Sequence, residues 1–196
     1  MVKVQSTGII LDWPHGFSAQ LADPIPSAAT TNLEWLVVHA YPRQDKKVIE
    51  LLQRKNLPGI AFFERRLRHY PGKGKQEFVV PLLPGYLFVA TNRANYDVVY
   101  DTKRVVRIID VRNPLELTAD LRSLIKLLTV AQAPIMVRPE LVPGKRVNIV
   151  TGTLAGCSGV ITRRKQDLEL VVNLELLGTS VAVTLPAMYA ELFTGE

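Results

Sequence analysis

The sequence has 196 residues, of which 47% are hydrophobic, and carries 24 Lys and Arg against 18 Asp and Glu, a formal net charge of +6. This composition excludes wholesale disorder, and the length allows one or two domains with a substantial core. A single cysteine, Cys157, excludes an internal disulfide, and no apolar run approaches the ~20 residues of a membrane helix, so we expect a soluble cytoplasmic protein that does not bind membranes.

The chain begins with a segment that shows no sequence pattern of a helix or a strand. Residues 1–32 contain three prolines and no sustained hydrophobic period, which predicts a flexible N-terminal extension. The apolar run 35–41 then predicts a buried strand, and the spacing of Val48, Leu51 and Leu52 predicts a helix over residues 43–56.

Residues 57–128 continue this mixture of strands and helices. The sequence predicts further strands over 60–63, 77–81, 85–90 and 104–110, a short helix over 94–100 and a last helix N-capped by Thr118. Because strands outnumber helices and do not alternate strictly with them, residues 33–128 are predicted to form an α+β domain in which helices pack on an antiparallel sheet.

The pattern changes after residue 128. Residues 129–138 contain Pro134, are followed by Pro139 and are predicted to be a linker. In residues 139–196, turns that contain glycine separate short runs in which apolar residues occupy every second position, such as 168–176 and 181–185. This spacing predicts a small β-barrel.

No residue pattern points to catalysis. The three histidines are scattered, Cys157 has no histidine partner in the sequence, and no glycine-rich loop of a nucleotide-binding type occurs. Cys157 is interpreted as a small filler of a turn or a core. We therefore expect a protein that is not an enzyme and that needs no cofactor and no metal ion.

The net positive charge lies in the middle of the chain. Residues 33–128 carry 17 basic and 10 acidic side chains, whereas residues 129–196 carry six of each. Within the basic part, a predicted excursion at residues 64–75 combines arginines with a tyrosine: Arg65, Arg66, Arg68 and Tyr70. Two interpretations stay open, a loop that binds nucleic-acid phosphates and stacks a base on the tyrosine, or a solvated hairpin that protects a sheet edge.

The segment 81–89 is too apolar for an ordinary connection. On a strand, Tyr86 and Phe88 would point to one face and their apolar neighbours to the other, so both faces need a partner. One face is expected to join the domain core. The other either packs under the domain's own helices or forms, together with Leu83, a groove for a partner helix.

Several motifs, taken in order, resemble the NusG family of transcription elongation factors. A strand that begins with Trp35 and a basic helix precede the run Pro84-Gly85-Tyr86-Leu87-Phe88-Val89. A Val-rich strand follows, and after it come Pro143-Gly144-Lys145-Arg146-Val147 and Gly159-Val160. The resemblance covers about residues 33–193. It implies an NGN domain, an α/β sandwich with a central antiparallel sheet, followed by a five-stranded KOW barrel.

The resemblance also implies a role on RNA polymerase. The NGN domain of the family binds the tip of the β′ clamp helices, bridges the DNA cleft toward the β subunit and suppresses pausing. The positions that correspond to its apolar docking surface here are Leu83, Pro84, Tyr86 and Phe88, with Trp35 and Tyr41 on the neighbouring strand.

Upstream or non-template DNA is the second partner that the resemblance implies. The family contacts DNA from its first helix and from the loop before its last strand, and the corresponding positions here are Lys47, Arg54, Thr102, Lys103 and Arg104. The three arginines of the basic excursion, Arg65, Arg66 and Arg68, are added as DNA-binding candidates because of their charge.

The KOW segment departs from the housekeeping factor of the family. Where that factor carries an aromatic residue that holds Rho or the ribosomal protein NusE, this sequence has Leu154, which becomes the candidate for partner binding. The departure argues against Rho, and the run 81–89 is closer to that of RfaH-type paralogues. We therefore interpret the protein as a monomeric, specialised antiterminator whose KOW domain recruits a further partner, such as NusE or the ribosome.

Two alternative functions stay open: a housekeeping factor that couples polymerase to Rho or the ribosome, and an RNA- or ribosome-binding KOW protein. The second is disfavoured because residues 129–196 have no net charge, whereas an RNA clamp should be basic there. RfaH-type proteins can also hold the KOW segment as a helical hairpin. Here the valine content and the period-2 pattern of residues 168–185 favour strands.

Overall fold

The computed structural model describes residues 6–13, 34–71, 74–91, 93–130, 135–138, 140, 142–144, 146–150, 152, 154–164 and 167–185. The chain divides into two compact units, Met1–Thr118 and Ala119–Glu196. No helix within the described ranges combines the length and the apolar character that crossing a bilayer requires.

A six-stranded sheet forms the frame of the first unit. Its strands are β1 (Ser6–Trp13), β2 (Glu34–Ala40), β3 (Gly59–Tyr70), β4 (Gly74–Pro81), β5 (Tyr86–Thr91) and β6 (Val105–Asp110). The connections contain α1 (Asp45–Arg54), a 3-10 turn (Arg93–Asn95) and α2 (Tyr96–Tyr100). The strand order is β1-β3-β5-β2-β6, with β4 paired to β3, and every pairing is antiparallel. The predicted α+β class with an antiparallel sheet is therefore confirmed for this unit.

The structure departs from the predicted flexible extension, residues 1–32, over one stretch. β1 pairs with β3 along its full length of eight residues. The prolines on which the prediction rested begin at Pro14, after the strand ends. The apolar residues before them pair with an edge of β3 whose backbone N–H and C=O groups would otherwise lack partners. Residues 1–5 and 14–33 lie outside the described part of the chain.

Helix α1 covers one face of the sheet, as the apolar spacing of residues 43–56 predicts. Val48, Ile49 and Leu52 are buried in a cluster with side chains of β2, β3 and β5. The helix ends in a Schellman motif, in which the Leu57 N–H donates to the Leu52 C=O and the Asn56 N–H donates to the Gln53 C=O, both at 3.0 Å. Asn56 occupies the left-handed position, with φ 56°, which asparagine tolerates better than most residues.

The basic excursion at residues 64–75 is part of a long hairpin. β3 and β4 pair from Phe63 opposite Pro81 to Tyr70 opposite Gly74. The strand prediction over 77–81 was too short because the residues before it have weak strand propensity, and pairing across the hairpin decides their conformation instead. Residues 72–73, at the tip, lie outside the described residues.

The last helix, α3 (Pro114–Val130), begins four residues before its predicted N-cap, Thr118. Asn113 is the cap, because its Oδ1 accepts from the Glu116 N–H at 3.2 Å and its Nδ2 donates to the Glu116 carboxylate at 3.0 Å. Thr118 lies inside the first turns, and its hydroxyl donates to the Pro114 C=O at 2.6 Å. The missed signal was the sequence Asn-Pro-x-Glu, since proline is favoured at the first helical position and glutamate at the third.

The second unit contains most of α3 and a five-stranded antiparallel sheet. Its strands are β7 (Ile135–Arg138), β8 (Arg146–Asn148), β9 (Ser158–Arg164), β10 (Asp167–Leu174) and β11 (Thr179–Leu185), in the order β7-β11-β10-β9-β8. The preference for strands over a helical hairpin is thus confirmed for β10 and β11. Among the described residues no pairing joins β7 to β8, so the sheet is open where a closed barrel was predicted. β8 has only three residues, which leaves little backbone for a further pairing.

The described residues of the predicted linker, 129–130 and 135–138, belong to regular elements. α3 continues to Val130, and β7 pairs with β11. The two prolines that suggested a linker, Pro134 and Pro139, directly flank β7. Proline is tolerated at strand ends because no ladder hydrogen bond is lost there.

Polar contacts join the later turns of α3 to the sheet of the second unit. The Ser158 N–H donates to Ser123 Oγ at 2.9 Å, and the guanidinium of Arg146 pairs with the carboxylate of Asp120. Asp120 and Ser123 are buried, so these contacts also satisfy polar groups that burial would otherwise leave without partners. The second unit accordingly begins at Ala119, ahead of the predicted domain boundary at residue 128.

The capping assignment makes a prediction about stability. Asn113→Ala should lower the free energy of unfolding by about 1 kcal/mol, because the N-cap bond to Glu116 is lost. Thr118→Ala is the matched control and should change the free energy of unfolding by less than about 0.5 kcal/mol. Chemical denaturation followed by circular dichroism measures both. A larger loss for Thr118→Ala than for Asn113→Ala would restore Thr118 as the cap.

Candidate functional site

The β4–β5 turn, residues 82–85, carries the centre of the predicted docking surface. Gly85 has φ 81°, in the left-handed region, and a Cβ there would lie 3.2 Å from His39 Cδ2. Both backbone polar groups of Gly85 are bound: its N–H donates to Asp45 Oδ1, and its C=O accepts from the Ala40 N–H, each at 2.7 Å. The turn is therefore held both by the first residue of α1 and by the end of β2.

Three of the predicted docking residues are buried. Leu83, Phe88 and Trp35 expose 3%, 0% and 7% of their surface. β2 and β5 are inner strands of the sheet, and Phe88 packs edge-on against Phe62 with 5.7 Å between ring centroids. The apolar character of these positions reflects the core of the first unit, which corrects the prediction that their side chains form an exposed surface.

The other three predicted docking residues reach the surface. Pro84 is exposed in the β4–β5 turn. Tyr86 is half-buried and stacks on His39 with 4.9 Å between ring centroids. Tyr41 is 51% exposed. The side chains that a partner can contact are therefore those of Pro84, Tyr86 and Tyr41.

Hydrogen bonds join the β2–α1 turn, residues 41–44, to the α2–β6 turn, residues 101–104. The Tyr41 N–H donates to the Arg104 C=O at 2.9 Å, and the Arg104 guanidinium donates to Gln44 Oε1 at 2.5 Å. Lys103 is exposed, whereas Thr102 is half-buried, and its hydroxyl oxygen accepts from the Arg104 N–H at 3.4 Å. The structure thus brings Tyr41, predicted for polymerase, beside the turn predicted for DNA.

Arg43 is an exposed cation of this region that sequence reasoning missed. Like Lys103, it has a positive φ, 64° against 54°. This conformation costs about 1–3 kcal/mol for a residue with a Cβ, and strained residues of this kind tend to cluster at functional sites. No sequence signal could have found it, because arginine carries no preference for a positive φ.

Lys47 and Arg54 are exposed on α1. Lys47 Nζ lies 2.8 Å from Glu50 Oε2, and this hydrogen bond, together with the lysine charge, lowers the pKa of Glu50. Arg54 is in the last turn, where a positive charge also interacts favourably with the helix dipole. Exposed ion pairs are weak, so Lys47 can exchange Glu50 for a phosphate.

The arginines of the β3–β4 hairpin have carboxylate partners. Arg65 Nε lies 2.8 Å from Glu77 Oε1, and Arg66 pairs with the buried carboxylate of Glu64. The side chain of Arg68 lies outside the described residues. Because Glu64 and Glu77 offset the charge of two arginines, the hairpin is a weaker phosphate site than its sequence indicates.

A cavity of about 580 Å³ lies between the first turn of α1 and the β4–β5 turn. Its volume falls within the range typical of ligand sites, roughly 300–1,000 Å³. The ammonium of Lys46 lies 5.4 Å from the centroid of the Phe63 ring. The cavity combines apolar walls with charged groups, the former from Phe63, Val79 and Pro84 and the latter from Arg43, Asp45 and Lys46.

Leu154, the predicted partner-binding residue of the second unit, is 3% exposed. It lies in the turn before β9, where the Cys157 N–H donates to the Leu154 C=O at 3.0 Å. The leucine side chain therefore belongs to the core of the unit, which corrects its prediction as a contact residue. Val150, near this turn, is 82% exposed and is an apolar side chain that a partner can reach.

Cys157 is fully buried, and burial raises its pKa to about 11. Its side chain fills the interior beside α3, where Sγ lies 4.0 Å from the Ser123 C=O. Within the described ranges, no three or more His, Cys, Asp and Glu side chains come together in a way that could hold a metal ion.

Residues 33–126 match the family model described as "NusG: Transcription termination factor nusG". This segment is therefore similar to the NusG family. A solved structure described as "Domain interaction in Thermotoga maritima NusG" shares 21% sequence identity over 78% of this chain and 93% of that chain, with a TM-score of 0.41. No curated protein matches the sequence.

The NusG-family match confirms the resemblance for residues 33–126, which span β2 to β6 and most of α3. It does not include β1 or the sheet of the second unit. The RfaH-like and KOW assignments stay predictions.

The burial of the docking motif makes a prediction about stability. Phe88→Ala should lower the free energy of unfolding by about 3–5 kcal/mol, because a fully buried ring leaves a cavity among inner strands. Tyr41→Ala, at an exposed aromatic of the same domain, should change it by less than about 0.5 kcal/mol. Urea denaturation distinguishes the two, and near-equal losses would contradict the burial of Phe88.

The raised pKa of Cys157 predicts slow thiol chemistry. At pH 8, a thiol with a pKa of about 11 is ionised about once in a thousand molecules. An excess of a chromogenic disulfide should therefore label native protein far more slowly than protein unfolded in urea. Because the native state keeps this proton to higher pH than the unfolded chain, the free energy of unfolding should also fall between pH 9.0 and about 11. Rapid labelling of the native protein would contradict the burial of Cys157 and the raised pKa of its thiol.

Proposed function

We propose that this chain is a transcription elongation factor whose NusG-family domain binds RNA polymerase. The observation that carries the proposal is the family match over residues 33–126. The family description supports a role in transcription elongation or termination, and the resemblance of the motifs implies suppression of pausing. The role is that of a binding protein, without catalysis and without a cofactor.

The polymerase contact is assigned to the β4–β5 turn. Pro84 is exposed there, and the half-buried Tyr86 follows directly. The buried side chains of Leu83, Phe88 and Trp35 support this surface from within the sheet. The partner that the resemblance implies is the tip of the β′ clamp helices, with the β subunit on the far side of the DNA cleft.

The DNA contact is assigned to cations of the neighbouring turns and of α1: Arg43, Lys47, Arg54 and Lys103, which are exposed, and Arg104, which is half-buried. Residues 1–118 carry 16 Lys and Arg against 11 Asp and Glu, whereas residues 119–196 carry 8 against 7. Phosphate contacts need such an excess of positive charge, and upstream or non-template DNA is the polyanion near polymerase.

The second unit is assigned to a protein partner, since its charge is nearly balanced. NusE or the ribosome is the expected partner, reached through exposed apolar side chains such as Val150. With these partners, the proposed protein is a monomeric, RfaH-like antiterminator. The alternative is a termination factor that works with Rho, which the description of the family model favours.

Transcription in vitro through a pause site and a Rho-dependent terminator tests the function. The wild-type chain should shorten the pause severalfold and leave Rho termination unchanged or reduced. The double variant Pro84→Ala, Tyr86→Ala should need at least about tenfold more protein for the same effect, because one exposed and one half-buried contact side chain are removed. Enhanced Rho termination by the wild-type chain would reassign it to the housekeeping role.

Leu115→Ala is the control for this experiment. Leu115 is 84% exposed and lies in the first turn of α3, so the variant removes exposed apolar surface away from the β4–β5 turn. It should act like the wild type. Equal activity of the double variant and the wild type would remove the β4–β5 turn from the polymerase contact, and no effect of the wild type on elongation would refute the proposed function.

A further inference from the structure

We propose that Asp45 is a positioning residue that holds the β4–β5 turn in the conformation in which it contacts polymerase. The inference rests on the proposed function for the identity of the partner. Its structural basis is independent of that function, because it consists of hydrogen bonds within the first unit.

The carboxylate of Asp45 forms a hydrogen bond with a residue that is distant from it in the sequence. Asp45 is the first residue of α1, is 4% exposed, and accepts from the N–H of Gly85, forty residues away, at 2.7 Å. A hydrogen bond to an ionised acceptor is among the stronger ones in proteins. An acidic residue in the first turn of a helix is also favoured by the helix dipole, so the position suits an aspartate.

The bond matters because Gly85 is buried and, within the described part of the chain, the acceptor that its N–H meets is the Asp45 carboxylate. Its C=O is already bound by the N–H of Ala40 at 2.7 Å, and its φ of 81° turns the backbone away from the ordinary strand conformation. Without the carboxylate, the buried N–H would have to find water or another acceptor, and the turn would relax to let it do so. Pro84 and Tyr86, on either side of Gly85, would move with it.

Asp45 also links this turn to the basic side of the domain. Its neighbour Gln44 accepts from the guanidinium of Arg104 at 2.5 Å, so the start of α1 supports both the β4–β5 turn and the α2–β6 turn. Asp45, Pro84 and Gly85 line the same 580 Å³ cavity. A single helix end thus sets the position of the proposed polymerase contact relative to the proposed DNA contact.

Three full-length variants test the inference. Asp45→Ala removes the acceptor, and Asp45→Asn keeps an acceptor oxygen of the same reach. Val48→Ala is the matched control, because Val48 is fully buried one turn further along α1, and its truncation destabilises the domain while the Asp45 carboxylate stays available to Gly85. The measurements are the affinity for core RNA polymerase, the exchange rate of the Gly85 amide by nuclear magnetic resonance, and the thermal midpoint.

Asp45→Ala should bind core polymerase about tenfold more weakly than the wild type, whereas Asp45→Asn and Val48→Ala should stay within about twofold. The Gly85 amide should exchange at least about tenfold faster in Asp45→Ala than in Val48→Ala. A loss of affinity in Val48→Ala equal to that in Asp45→Ala would show that stability alone matters and would overturn the positioning role.

The outcomes separate this inference from the proposed function. If the wild-type chain does not bind core polymerase, the proposed function fails, and the part of the inference that concerns polymerase fails with it. If the wild type binds and Asp45→Ala binds equally well, or if Gly85 exchange is unchanged in Asp45→Ala, the positioning role fails while the proposed function stands.

Discussion

The burial of both faces of β2 and β5 is the constraint on which the first unit depends. Val38 and Leu87 belong to the cluster under α1, Val37 and Phe88 point to the opposite face, and all four are fully buried. Strands that are apolar on both faces offer few side chains to a partner along their length. Contacts with other molecules are therefore left to the turns at the ends of these strands and to residues that border them, such as Tyr86 at the first position of β5.

These turns differ in chemical character but share one support. The β4–β5 turn presents Pro84 and Tyr86, whereas the β2–α1 and α2–β6 turns present Arg43 and Lys103. The start of α1 binds both groups of turns through hydrogen bonds. The positive excess of the chain belongs to the unit that contains them, because the second unit is nearly balanced in charge. An apolar contact and a phosphate contact can thus act from one rigid frame.

Much of the fold could be predicted because apolar residues recur in the sequence at the spacing of the buried face of a helix or strand. α1, β2, β5, β10 and β11 are elements whose apolar residues follow the helix or strand spacing. β1 and β7 were missed because they lie next to prolines, and β7 is also only four residues long. Such segments become strands only where an edge of another strand is available. The start of α3 was misplaced because Thr118 and Asn113 are both acceptable caps, and the hydrogen bonds of Asn113 decide between them.

The sequence by itself determined the types of most elements, the location of the positive charge and the similarity of residues 33–126 to the NusG family model, since these depend on residue order alone. Only the tertiary structure decided which apolar residues of the docking motif reach the surface. It also decided that Glu77 and Glu64 pair with the hairpin arginines and that Asp45 binds Gly85. The Arg65–Glu77 and Asp45–Gly85 contacts join different elements of the fold, so they follow from how the chain packs and not from a local sequence pattern. Glu64 and Arg66 are two residues apart on β3, and they meet because a strand places such residues on the same face.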